Sequence, residues 1–66
     1  MLYVLRVKSS DVIDALKAAG FKLDRVRGSH HVFTCGGITV VVPHPKKDLP
    51  IGTVRSIERQ SGVKVR

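Results

Sequence analysis

Two adjacent glycines near the middle of the chain, Gly36-Gly37, constrain its fold more than any other feature. They separate His30-His31-Val32-Phe33-Thr34-Cys35 from Ile38-Thr39-Val40-Val41-Val42-Pro43, two runs rich in β-branched residues. A two-residue glycine turn between such runs predicts a β-hairpin. Turn length then sets the register: Cys35 opposes Ile38, Thr34 opposes Thr39, Phe33 opposes Val40, Val32 opposes Val41 and His31 opposes Val42. Directly opposed residues share a face. One face carries His31, Phe33, Cys35, Ile38, Val40 and Val42, and its apolar content makes it the core face. The other carries His30, Val32, Thr34, Thr39 and Val41. Two consecutive histidines are thereby assigned different surroundings, His31 at the edge of the core and His30 on the more polar side.

The flanking segments complete an α+β pattern. Residues 1–8 read as an extended arm. Ser9-Ser10-Asp11 supplies residues suited to a helix N-cap, and Val12, Ile13, Leu16 and Ala19 then recur at helical spacing. A helix over roughly residues 10–19 follows, stopped by Gly20, with Phe21 folding back on Leu16. Phe21 to Arg27 is a strand with Phe21 and Leu23 on one side. Continued alternation would turn Arg25 inward, so this strand must bulge or end early. Gly28-Ser29 is the next turn. After the third strand, the prolines and charges of residues 43–50 mark a loop. Pro50 suits the first position of a second helix, and Asp48 sits near the positive end of its dipole. Val54 and Ile57 face inward there, Arg55, Arg59 and Gln60 outward, and Gly62 ends the helix. The expected architecture is helix, three-stranded antiparallel sheet, helix, with both helices on one face, in a single domain over residues 1–66.

A chain of 66 residues has room for one small core. Its 12 Lys and Arg against 5 Asp and Glu give a formal charge of +7, which points to a polyanion or an acidic protein as partner. Aromatic residues are only 5%, without tryptophan, which argues against a stacking platform for single-stranded bases. Contacts to a nucleic-acid backbone are the more natural mode. The single Cys35 excludes an internal disulfide and a cysteine-based zinc site. The histidines and carboxylates lack metal-ligand spacing, no phosphate-binding glycine loop occurs, and neither a metal nor another cofactor is expected. Neither a secretion signal nor a membrane span is evident, so a cytoplasmic location is expected.

Candidate chemistry gathers at Arg27-Gly28-Ser29-His30. Histidine is the side chain whose unperturbed titration falls near neutral pH. His30 lies off the core face, beside a glycine turn, with Arg25 and Arg27 close in sequence. Ser29 and His30 cannot form a nucleophile–base pair, because adjacent strand residues point to opposite faces. His31 and Cys35 share a face but stand roughly 13 Å apart along the strand, so Cys35 reads as a small core residue. Lys46 and Lys47, in the loop leaving the third strand, are expected to flank His30 together with Arg25 and Arg27. A histidine acid or base among phosphate-holding cations is sufficient equipment for cutting RNA without a metal. Ser29 and His44 are secondary candidates, and His44, between two prolines, reads equally as a loop-shaping residue or a second substrate contact. Two other classes fit the charge: a non-catalytic RNA-binding module acting by occupancy, and a basic adaptor for an acidic protein.

Three segments resemble the HicA family, the small toxins of HicA–HicB toxin–antitoxin pairs. They are Ser9-Ser10-Asp11-Val12-Ile13 leading to Gly20-Phe21, then Arg27-Gly28-Ser29-His30-His31-Val32-Phe33, then residues 41–57 with Pro43-His44-Pro45-Lys46-Lys47-Asp48-Leu49-Pro50. With the closing Ser61-Gly62 they span nearly the whole chain in the family's order. The resemblance implies a double-stranded-RNA-binding-domain-like fold. It also implies a ribonuclease that cleaves messenger RNA and blocks translation until a HicB-type antitoxin covers it. The family's essential histidine follows glycine–serine, which corresponds to His30.

Overall fold

A computed structural model describes residues 7–65. The elements run α1 (Ser9–Ala18), β1 (Lys22–Arg27), β2 (His30–Cys35), β3 (Ile38–Pro43) and α2 (Ile51–Ser61). The strands form one antiparallel sheet in the order β1-β2-β3. This is the helix, three-stranded sheet, helix layout expected from the sequence. The arm expected over residues 1–8 falls outside the described residues except for Val7 and Lys8. Among the described residues, no helix is long and apolar enough to cross a membrane.

The β2–β3 hairpin has the register that a two-residue turn demands, from Cys35 opposite Ile38 to His31 opposite Val42, and continues to His30 opposite Pro43. Gly36 and Gly37 have φ of 53° and 87°. Both central residues of a type I′ turn need positive φ, which glycine adopts without steric cost.

Phe33, Val40 and Val42 are almost wholly buried beneath Val12, Ile13 and Leu16 of α1 and Val54 and Ile57 of α2. Both helices therefore cover the same face of the sheet. Phe21, Leu49 and Val7 close the margins of this cluster, and Val63 and Val65 pack against it from the segment after α2. The cluster is centred on β2 and β3. β1 projects beyond it, with every residue exposed, including Leu23 and Val26. Ile38, assigned to the core face, is 42% exposed because it lies at the hairpin tip beyond the helices. Val32, on the opposite face, is nonetheless buried; it is the central-strand residue between Arg25 and Val41, which cover it from both sides.

Helix ends follow local chemistry. At the end of α1 the Gly20 N–H donates to Lys17 O (3.0 Å) and the Phe21 N–H to Leu16 O (2.9 Å), the paired bonds of a Schellman motif. Phe21 and Leu16, both buried, supply its apolar contact. α2 ends at Gly62, in the left-handed conformation. Its start falls one residue later than expected, with Pro50 as the N-cap and Ile51 as the first helical residue. The N-cap of α1 is also displaced: Lys8 occupies it, no side chain caps the helix, and Ser9 is already helical.

Phe33 fills the centre of this core at 1% exposure. Phe33→Ala should cost about 3–5 kcal/mol. That is about the whole stability of a domain this small. Urea titration followed by circular dichroism should therefore show a largely unfolded variant; an unchanged midpoint would mean that Phe33 is not central to the core.

Candidate active site

Gly28-Ser29 closes β1 onto β2 in two residues, with Gly28 at φ 59° and Arg27 directly opposite His30. Cross-strand partners share a face, so the Arg27 guanidinium and the His30 imidazole start from the same side of the sheet. Between Leu23 and Arg25 the register slips, since Leu23 opposes Phe33 and Arg25 opposes Val32. Asp24 is the extra residue. This bulge resolves the conflict in the strand's alternation. Instead of entering the core, Arg25 and Arg27 both move to the side bearing Val32 and His30. Arg25 also lies 3.8 Å from Asp24 through Nε, an exposed ion pair of little energetic weight.

His30 is exposed and opens a groove of about 550 Å³ along the edge strand β3. Thr39, Val41 and Pro43 form its sheet wall. Gly52, Thr53, Ser56 and Gln60 of α2 form the opposite wall, with Ile57 between. Apart from the His30 imidazole, none of the lining side chains is ionisable. Thr39, Thr53, Ser56 and Gln60 were not singled out from the sequence. On a linear reading they are ordinary polar surface positions, and only the packing of α2 beside β3 brings them to His30.

On the core side of the same strands, His31 is half-buried, with Nδ1 enclosed and without a hydrogen-bond partner. Its ring meets His44 edge to face, with centroids 4.8 Å apart and planes at 84°. His44 precedes a cis peptide bond to Pro45 and donates its N–H to Ser29 O at 2.8 Å. Its Nδ1 lies 2.6 Å from Ser9 Oγ. The Ser9 hydroxyl also accepts the Lys46 N–H at 2.9 Å, while the Ser9 N–H donates to Lys46 O at 2.9 Å. The Leu49 N–H reaches Val7 O at 2.9 Å. Ser9 is 1% exposed. Its hydroxyl is thus committed to the 44–46 backbone and imidazole, which explains why it does not cap α1.

Through these contacts His44 anchors the connection to Ser9 and to the Gly28-Ser29 turn. Lys46 and Lys47 are exposed and line a second cavity of about 350 Å³ with Lys8, Ser10, His44 and Pro45. The structure thus brings Arg25, Arg27 and Ser29 to the strand pair around His30, and places Lys46 and Lys47 at the neighbouring cavity by the start of α1. Cys35 is free and half-buried. Among the described residues no group of three or more His, Cys, Asp or Glu is arranged to hold a metal ion.

The site is thus a histidine at the mouth of a groove in a basic α+β domain, with arginines on the same sheet face. Residues 9–63 match the family model described as the HicA toxin of bacterial toxin–antitoxin systems. The match covers most of the chain, and the protein belongs to the HicA toxin family. No individual curated protein matches the sequence.

Ser9→Ala removes one hydroxyl that serves both the Lys46 N–H and His44 Nδ1. It should lower stability by about 1–3 kcal/mol and speed hydrogen exchange at the Lys46 amide. Urea titration and amide exchange by NMR measure both effects; no change in either would mean that the Ser9 tie does not hold the connection.

Proposed function

We propose that this toxin is a metal-independent endoribonuclease that cleaves messenger RNA, with His30 as its catalytic acid or base. The observation that carries the reading is the position of His30: exposed at a groove, with Arg27 directly across the ladder and Arg25 on the same face. In the reaction, His30 takes the proton from a ribose 2′-hydroxyl. The oxygen attacks the adjacent phosphorus, and the bond to the 5′-oxygen of the next nucleotide breaks. That oxygen takes up a proton from the imidazolium or from water. Arg27 and, further along the strand, Arg25 stabilise the charge that develops on the phosphate. Lys46 and Lys47 hold neighbouring phosphates of the same strand from the second cavity, so the RNA backbone runs across the Pro43-His44 connection between the two cavities.

Membership in a toxin–antitoxin family supports a protein partner as well as RNA. A HicB-type antitoxin with an acidic face would cover the His30 groove and neutralise the cations beside it. The site of action is the cytoplasm, where messenger RNA is translated.

His30→Ala should reduce the cleavage of a defined messenger RNA in EDTA by about 10²–10⁴-fold. Filter binding should show RNA affinity nearly unchanged. Cleavage at the wild-type rate by this variant would remove His30 from the mechanism; binding without cleavage by the wild type would favour action by occupancy. Replacing Lys46 and Lys47 together with alanine should reduce the slope of log affinity against log salt by about 0.7 per lost phosphate contact. An unchanged slope would place both lysines off the RNA path.

A further inference from the structure

We infer that the groove between β3 and α2 receives the nucleobase immediately 5′ of the cut, and so sets which nucleotide is cleaved. The inference rests on the cleavage reading of His30 and goes beyond it, because a general acid–base alone would cut after any base. Its basis is the chemistry of the groove's walls. A phosphate-binding pocket is lined by cations, yet the walls here carry none. They present instead the hydroxyls of Thr39, Thr53 and Ser56 and the carboxamide of Gln60, groups that both donate and accept hydrogen bonds. Between these groups the lining is apolar, from Val41, Pro43 and Ile57. Apolar surface interrupted by a few uncharged donors and acceptors suits a planar heterocycle with polar edges.

Dimensions and connectivity agree. The sheet wall runs about 13 Å from Pro43 to Thr39 and the helical wall about 12 Å from Gly52 to Gln60, each starting at the 44–50 connection. His30 faces Pro43 at that end. In a ribonucleotide the base and the 2′-hydroxyl are borne by adjacent ribose carbons. A base seated in the groove therefore brings its own 2′-hydroxyl to the groove mouth, where the His30 imidazole stands. Its 3′-phosphate then lies toward Arg27, on the same sheet face.

The test has two arms. In the first, each of the four nucleoside 3′-monophosphates is titrated into the isotopically labelled full chain, with ribose 5-phosphate as the base-free control. Amide shifts are expected at Thr39, Thr53, Ser56 and Gln60 that differ among the bases and are missing with the control. Equal shifts from all five compounds, or shifts that bypass the groove, would overturn it, and this arm is independent of cleavage. In the second arm, sequencing of cleavage products should show a base bias at the nucleotide 5′ of the cut. Thr39→Val and Ser56→Ala, which keep side-chain volume nearly constant, should each weaken that bias by about three- to tenfold. Cutting without bias, or a bias that neither variant changes, would refute the groove assignment while leaving His30 in place. Absence of cutting by the wild type would instead refute the cleavage reading and leave the groove to the titration.

Discussion

Gly36 and Gly37, both at positive φ, close the β2–β3 hairpin in two residues, and the parity of that loop assigns every side chain of both strands to a face. A slip of β2 by one residue would exchange the two faces of that strand. Phe33 would then leave its place between Val40 and the helices, and His30 and His31 would trade places. The register is held because Phe33, Val40 and Val42 are buried together on one face. Core packing and the position of His30 are thus one constraint. The domain cannot lose the orientation of His30 without also losing its hydrophobic face.

Two further devices turn this hairpin into an electrostatic surface. The bulge at Asp24 moves Arg25 and Arg27 to the side of His30, so that β1 contributes charge rather than core. The Ser9 hydroxyl ties the start of α1 to the 44–46 connection and holds His44 against His31. The neighbouring histidines consequently divide their tasks. His31 and His44 pack together beside the connection, while His30 stays exposed at the groove. The same connection carries Lys46 and Lys47 into the cavity beside α1, which extends the basic surface past the groove.

What was legible in the sequence was local. The hairpin register depends on a loop length and a polarity pattern, both visible in a dozen residues. The helices announced themselves through apolar spacing and the glycines that end them. The strand alternation showed that β1 had to bulge or stop, but the choice depended on β2, whose Phe33 and Val32 accept Leu23 and Arg25 across an extra residue. The Ser9-Ser10-Asp11 run looked like a cap, but a partner 37 positions away claimed the Ser9 hydroxyl. His30 and the arginines could be named because they sit in one turn and its flanks. The groove's polar wall could not, because Thr39, Ser56 and Gln60 become neighbours only when α2 packs along β3. The placement of the lysines likewise depended on how the 44–50 connection crosses the start of α1.

The proposed reaction is one chemical act: an imidazole on the open face activates a 2′-hydroxyl beside a phosphate held by arginines. The chemistry of the RNA ends tests it most directly. Products of the wild-type protein should carry a 2′,3′-cyclic phosphate on the 5′ fragment and a free 5′-hydroxyl on the other. A single 2′-deoxy substitution at the cut nucleotide should abolish that cut. Fragments ending in a 3′-hydroxyl and a 5′-phosphate, or undiminished cutting of the 2′-deoxy substrate, would mean that water attacks the phosphorus and would contradict the mechanism.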